Sequence, residues 1–148
     1  MPRRDGVIFL TPEGFQDALG VAGEDLERLR AYVALLEKWQ AKINLVGAGS
    51  LKDVWRRHIL DSAQLGPLLP PEARIIADIG SGAGLPGVPL KIAFPGLRAT
   101  LVEATRKKAA FLEHLVARLG LQDVCIAIDE SKRLHTSAPA EFKIGILD

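Results

Sequence analysis

The sequence predicts an α/β fold, a doubly wound parallel sheet behind an N-terminal helical segment. Three observations predict it. From residue 75 onward, short apolar runs alternate with amphipathic stretches of about ten residues or more, which calls for parallel βαβ units with right-handed crossovers. A turn rich in glycine, Gly80-Ser81-Gly82-Ala83-Gly84, joins the first of those runs to a helix. Upstream lies the strongest periodic signal in the chain, a long amphipathic helix whose apolar stripe requires another layer to cover it.

Taken in order, Thr11-Pro12-Glu13-Gly14 reads as a helix start, with Thr11 as N-cap, Pro12 in the first turn and Gly20 as the stop. From Glu24 to about Asn44, apolar residues recur at Leu26, Leu29, Tyr32/Val33, Leu35/Leu36, Trp39 and Ile43, the spacing of a helix whose stripe packs on a core. A turn of small residues follows. Ser50 then reads as the N-cap of a second helix over Leu51–Leu65, with Asp53 in its acidic first turn. Pro67, Pro70 and Pro71 end it and mark a boundary, so residues 1–71 form a helical segment packed on the sheet and 72–148 a partial cofactor-binding α/β unit. Ile75–Ile79, Ala99–Glu103 and Val124–Ile128 read as strands, with helices over Leu85–Phe94 and Arg106–Leu119 between them; Phe142–Leu147 is a fourth candidate strand.

Composition bounds the function. A chain of 148 residues, 48% hydrophobic and 25% charged, matches one globular domain. The net charge of +1 carries no global nucleic-acid signature, so RNA contact would rest on local clusters such as Arg56-Arg57, Arg106-Lys107-Lys108 and Lys132-Arg133. The single cysteine, Cys125, lies in an apolar run and reads as a buried core residue. No disulfide framework and no paired metal ligands occur, which fits a reducing, cytoplasmic setting without a metal. The basic N-terminus is too short for a signal peptide, and no run is long enough to span a membrane.

The glycine turn sits where an open parallel sheet leaves a crevice at the carboxyl ends of its strands. Gly82-Ala83-Gly84-Leu85-Pro86-Gly87 satisfies the G-x-G-x-x-G pattern, and Glu103 follows nearly twenty residues after Gly84, which taken alone suits a dinucleotide. Three features favour a carrier without phosphates. Asp78 stands before the turn, where a carboxylate accepts from loop amides or from an ammonium group. Pro86 and Pro89 stiffen the helix entrance, and Pro86 removes an amide that a pyrophosphate would use. S-adenosyl-L-methionine, with an amino-acid end and a ribose, meets these conditions. Glu103, ending the second strand, suits a grip on two ribose hydroxyls.

These blocks resemble the small-subunit ribosomal RNA guanine-N7 methyltransferases, also called glucose-inhibited division protein B. Leu35-Leu36-Glu37-Lys38-Trp39 with Lys42-Ile43-Asn44-Leu45 is similar to the family's first helical signature, and Arg57-His58-Ile59-Leu60-Asp61-Ser62 to its second. Asp78 to Leu90 resembles its cofactor loop nearly throughout, and Arg106-Lys107-Lys108 with Phe111-Leu112 the helix after the ribose acid. The resemblance covers roughly residues 24–128. It implies a Rossmann-like class I sheet and methyl transfer from S-adenosyl-L-methionine to N7 of a guanine in small-subunit ribosomal RNA, free or in the ribosomal particle. It implies that Gly80 and Leu85 touch the cofactor, completing a cofactor side with Asp78, Gly82, Gly84 and Glu103, with Ser131 and Lys132 at the usual adenine-contact positions and the cofactor-side candidate Glu130 just before them. Asn44, His58, Asp61 and Ser62 become candidates for shaping the pocket, and Arg57, Arg106, Lys107 and Lys108 for meeting RNA.

Each has a plainer alternative. His58 and Asp61, three apart, suit a local hydrogen-bonded pair as well as a pocket role. Asn44 suits a helix cap, and Arg106-Lys107-Lys108 a solvated first turn. Beyond residue 128 the match decays: Glu130 reverses a charge, and Asp148 falls at the family's arginine. With the family's further strands missing, the fourth strand would leave an open sheet edge and a route to self-association. A shortened or altered chain, a disrupted reading frame near residue 128 and a degenerate relative all account for this, and all predict weak or absent activity. The alternative function is a non-catalytic cofactor-binding or scaffold relative; a nicotinamide-dependent oxidoreductase is a third.

Overall fold

In the computed structural model, the described residues are 3–4, 7–129 and 144–147. A short antiparallel pair, β1 (Arg3–Arg4) and β2 (Val7–Ile8), precedes the helical segment; nothing in the sequence pattern announced it. Helix α1 (Pro12–Leu19) begins as expected: the Thr11 side chain accepts from Gly14 N–H at 3.0 Å, Pro12 opens the first turn, and Gly20 closes it in the left-handed conformation. Helix α2 (Gly23–Gln40) buries Leu26, Leu29, Tyr32, Val33 and Leu36 on one stripe.

It ends four residues earlier than the apolar spacing suggested, because the Gln40 side chain takes over the backbone. Gln40 Oε1 accepts from Leu45 N–H and Val46 N–H at 3.0 Å, and its Nε2 donates to the Val46 carbonyl at 2.8 Å. Asn44 is exposed and does not cap the helix.

The expected second helix is not one regular helix. A 3-10 turn (Ala48–Asp53) leads into a π-helical turn (Trp55–Leu60), then a short helix α3 (Asp61–Ala63) and another 3-10 turn (Gly66–Leu68). Ser50 lies inside the first turn, its hydroxyl bonded to the Gly47 carbonyl, and is not the N-cap. Asp53 accepts from Leu10 N–H at 3.1 Å and from Arg56 at 2.9 Å, tying this segment to the chain before α1.

Strand β3 (Ile75–Ile79) leads to helix α4 (Gly87–Ala93), strand β4 (Arg98–Glu103), helix α5 (Arg106–Leu119) and strand β5 (Val124–Ile128). The order in the sheet is β5-β4-β3-β6, with β6 at Ile144–Leu147. β3, β4 and β5 are parallel: Ile76 pairs with Ala99, and Leu101 with Ile126. The fourth strand departs from expectation, running antiparallel to β3 with Asp78 opposite Ile144. It starts at the carboxyl edge of the sheet, the edge at which β5 finishes.

Among the described residues helices cover one face of the sheet, not both. α4 and α5 pack on that face, and α2 packs against both of them. The core lies between: Ile76, Ala99 and Leu101 from the sheet, Val88, Leu90 and Ile92 from α4, Phe111, Leu112 and Leu115 from α5. Cys125 is exposed, against the expectation of a core thiol, because alternate residues of β5 point to the other face. No helix among the described residues is long and apolar enough to cross a membrane.

Candidate functional site

At the carboxyl end of β3 the chain turns through Gly80, Gly82 and Gly84, all at positive φ. Four sets of bonds hold the turn. The amides of Gly80 and Ser81 both donate to the Val102 carbonyl on β4 at 2.9 Å. Gly82 N–H donates to Glu103 Oε1 at 2.9 Å, while Thr105 N–H donates to Oε2 at 2.9 Å. Asp78 Oδ2 accepts from the Ser81 hydroxyl and from Gly87 N–H, each at 3.0 Å. From the helical segment, the Tyr32 hydroxyl donates to the Ala83 carbonyl at 2.7 Å.

The glycines of the turn divide by role. A Cβ on Gly82 would meet only the Gly80 carbonyl, at 3.9 Å, so the loop there stays open to a close approach. A Cβ on Gly84 would stand 2.7 Å from Val88 Cγ2 and 3.3 Å from Leu112 Cδ2, so this glycine serves helix packing. Gly80 and Leu85 are half-buried.

Asp78 has no exposed surface, and its oxygen faces the loop and the first residue of α4. Asp78 Oδ2 accepts from the amide of the first residue of α4, Gly87, just past the loop, and from the Ser81 hydroxyl within the loop. Its negative charge is the second reason, after burial, that the Tyr32 hydroxyl holds its proton far above the ordinary tyrosine range. Glu103 is 6% exposed, and each of its oxygens accepts one backbone amide. A carboxylate oxygen has room for a second donor, so the same group can bind the loop and still receive ligand hydroxyls.

The candidates from the second helical block form a separate cluster. His58 lies in the π-helical turn, where the wider backbone ring lets Asp61 N–H reach the Arg56 carbonyl. His58 bonds Ser50 rather than Asp61, which corrects the local-pair reading. The Ser50 hydroxyl gives its one proton to the Gly47 carbonyl, so His58 Nε2 is the donor in the 2.6 Å contact with Ser50 Oγ. Burial, then the neighbouring Arg57 charge, lowers the His58 pKa below 6.5 against the opposing pull of Asp61, keeping the ring neutral at pH 7. Asp61 is exposed and accepts from Gln64 at 3.4 Å, while Ser62 is buried.

Arg57, Arg106 and Lys107 are exposed and Lys108 is half-buried at the start of α5. Glu130, Ser131 and Lys132 lie outside the described residues, as does Arg133. The structure thus joins Asp78, Gly80, Gly82 and Glu103 in one hydrogen-bonded unit, and keeps His58 with Ser50 in another.

Three residues escaped the sequence reading. Tyr32 belongs to the apolar stripe of α2, Ser81 stands between two glycines of the turn without a distinguishing pattern, and Gln40 carries no signal. The usable hint was Tyr32 itself: a phenol at a core position needs a partner for its hydroxyl, although sequence does not say which.

Comparison with known proteins adds the following. The family model described as rRNA small subunit methyltransferase G matches residues 25–141, past residue 128, where direct reading of the sequence had placed the end of the resemblance. A relative named ribosomal RNA small subunit methyltransferase G from Rhodospirillum rubrum is 55% identical over 104 residues, covering 70% of this chain and 51% of its own. The protein of that name from Rhodospirillum centenum is 53% identical over 106 residues, covering 71% and 48%. That from Limosilactobacillus reuteri is 38% identical over 147 residues, covering 93% and 61%. The chain spans about half the length of the curated relatives it matches.

Proposed function

Since the chain belongs to the rRNA small subunit methyltransferase G family, we propose that it binds S-adenosyl-L-methionine and serves methyl transfer to N7 of a guanine in small-subunit ribosomal RNA, in the cytoplasm. The observation that carries the reading is the bond between Gly82 N–H and Glu103 Oε1. It sets the open stretch of the glycine loop beside the acid that ends the second strand, the pairing a ribose-bearing ligand needs at the carboxyl edge of a parallel sheet. The site fits such a ligand: nothing but the Gly80 carbonyl stands within 4 Å of a Cβ built on Gly82, and Glu103 has acceptor capacity left on both oxygens.

S-adenosyl-L-methionine supplies a methyl group already activated on a positively charged sulfur. The residues therefore bind, orient and exclude water. Glu103 accepts from the ribose hydroxyls; Gly80, Gly82 and Leu85 line the approach; Asp78 and Gly84 shape the loop from behind. Glu130, Ser131 and Lys132 take the adenine side. Asn44, His58, Asp61 and Ser62 shape the guanine side. A neutral His58 suits it, because N7 acquires positive charge as it is methylated and an imidazolium nearby would oppose that. Arg57, Arg106, Lys107 and Lys108 meet RNA phosphates, each contact adding to the salt dependence of binding.

Calorimetric titration with S-adenosyl-L-methionine and, separately, NAD tests the cofactor. Binding of the first alone is expected, and binding of NAD alone refutes the reading. Incubation with undermethylated small ribosomal subunits and labelled cofactor tests the transfer; weak or absent label, confined to guanine N7, is expected because of the departures beyond residue 128, and label at another position would refute the guanine-N7 reading.

A further inference from the structure

Tyr32 is the single tyrosine of the chain, wholly buried in the middle of α2, 51 residues before the carbonyl its hydroxyl reaches. That carbonyl belongs to Ala83, the residue between the open Gly82 and the packed Gly84. On the other side, the Gly82 amide is held by Glu103. The stretch from Gly82 to Ala83 is therefore gripped at both ends, by the acid of β4 and by a helix of the N-terminal segment. A Cβ built on Gly82, unlike one on Gly84, meets no side chain within 4 Å, so side-chain packing at that residue does little to fix its backbone.

Resting on the proposed cofactor reading, we propose that Tyr32 is a positioning residue for the cofactor loop: its hydroxyl, donated to the Ala83 carbonyl, holds the Gly82–Ala83 backbone in the form that receives the ligand. The N-terminal helical segment thereby takes part in cofactor affinity without touching the cofactor. The physical basis is preorganisation. A loop that is ordered beforehand loses less entropy on binding, and apparent affinity falls in proportion to the fraction of molecules in the competent form. The phenol suits the task because burial and the Asp78 charge keep it protonated, so it remains a donor across the working pH range.

The variant Tyr32→Phe keeps the ring and removes the donor. Loss of one such bond is expected to weaken S-adenosyl-L-methionine binding about tenfold by calorimetry. Leu119→Ala, at the C-terminal end of α5 and so toward the amino edge of the sheet, away from the loop, is the matched control: it destabilises the core at least as much and is expected to leave affinity within about twofold. A spectroscopic readout separates positioning from packing. With carbonyl-13C alanine and 15N glycine, only the Ala22-Gly23, Ala48-Gly49 and Ala83-Gly84 pairs give a coupled signal, and Tyr32→Phe should move the last of them. Global incorporation of 3-fluorotyrosine labels Tyr32 alone in a chain that keeps its hydroxyl, and its fluorine resonance should shift on saturation with cofactor.

Equal affinity of Tyr32→Phe and the wild type would overturn the inference and leave the cofactor reading standing. Equal weakening in Tyr32→Phe and Leu119→Ala would reduce Tyr32 to a packing residue. If Tyr32→Phe does not fold, a fluorine resonance unmoved by bound cofactor overturns the inference by itself. Failure of the wild type to bind would sink the cofactor reading, and this inference with it.

Discussion

Replacing Gly84 with alanine should damage the fold, while the same change at Gly82 should damage ligand binding. Gly84 sits at φ +87°, where a Cβ adds about 1–2 kcal/mol of backbone strain. Its Cβ would also lie 2.7 Å from Val88 Cγ2, about an ångström inside the ordinary carbon–carbon contact. Val88 is 1% exposed and Leu112 fully buried, so neither has room to retreat, and overpacking of this kind costs about 1–3 kcal/mol. Alanine restricts the unfolded chain and returns about 0.4–1 kcal/mol. The net expectation for Gly84→Ala is a loss of about 1–4.6 kcal/mol, a large part of a stability that for domains generally lies at about 5–15 kcal/mol. Gly82→Ala carries the φ +58° strain without the clash, so its stability should fall by no more than about 1.6 kcal/mol. Its new methyl group would stand where the ligand approaches, and affinity for S-adenosyl-L-methionine should drop at least about tenfold. Urea denaturation measures the first quantity and calorimetry the second. A Gly84→Ala variant within about 1 kcal/mol of wild type would refute the assignment of that glycine to packing, and undiminished affinity in Gly82→Ala would refute the open approach.

Asp78→Ala leaves the Ser81 hydroxyl and Gly87 amide without their acceptor, and should lose about 2–5 kcal/mol, whereas Asp78→Asn, whose carbonyl oxygen can still accept from both, should lose less; equal losses in urea melts would contradict the bonding described. For His58, whose folded pKa lies below 6.5, the unfolded chain takes up a proton first as pH falls. Its contribution to stability is therefore complete above about pH 6.5 and lost as pH drops toward the folded pKa, and an NMR titration midpoint at or above 6.5 would contradict it. Tyr32 has the opposite sign. Its folded pKa is raised above 10.0, so its contribution is complete below about pH 10 and lost above it at up to about 1.4 kcal/mol per pH unit. Because it is the sole tyrosine, absorbance at the tyrosinate band should appear only together with alkaline unfolding; ionisation in a folded chain would refute its burial.

Much of this architecture was legible in the residues. The apolar runs at Ile75–Ile79 and Val124–Ile128 and the helix over Arg106–Leu119 stand where periodicity placed them, since hydrophobic spacing records which face of an element must be buried. Thr11 and Gly20 marked helix ends because capping is local chemistry. The glycine turn and the acid of the second strand were visible as well, and the ordered blocks around them pointed to the family that the comparisons identify.

What the sequence left open depends on groups distant along the chain. The irregular helix over residues 48–63 arises where Ser50 meets His58 and Asp53 meets Leu10, bonds that no window of propensity contains. The direction of β6 and the exposure of Cys125 follow from sheet order and from which face the helices cover. By itself, then, the sequence determined the parallel strands and the helices between them, the glycine turn and the family, because these rest on local pattern. Only the tertiary structure decided that Gly84 packs while Gly82 stays open, that Glu103 binds the loop it was expected to accompany, and that Tyr32 reaches Ala83. Those outcomes belong to the close approach of separate segments, where a distance of a few ångströms sets what each side chain can do.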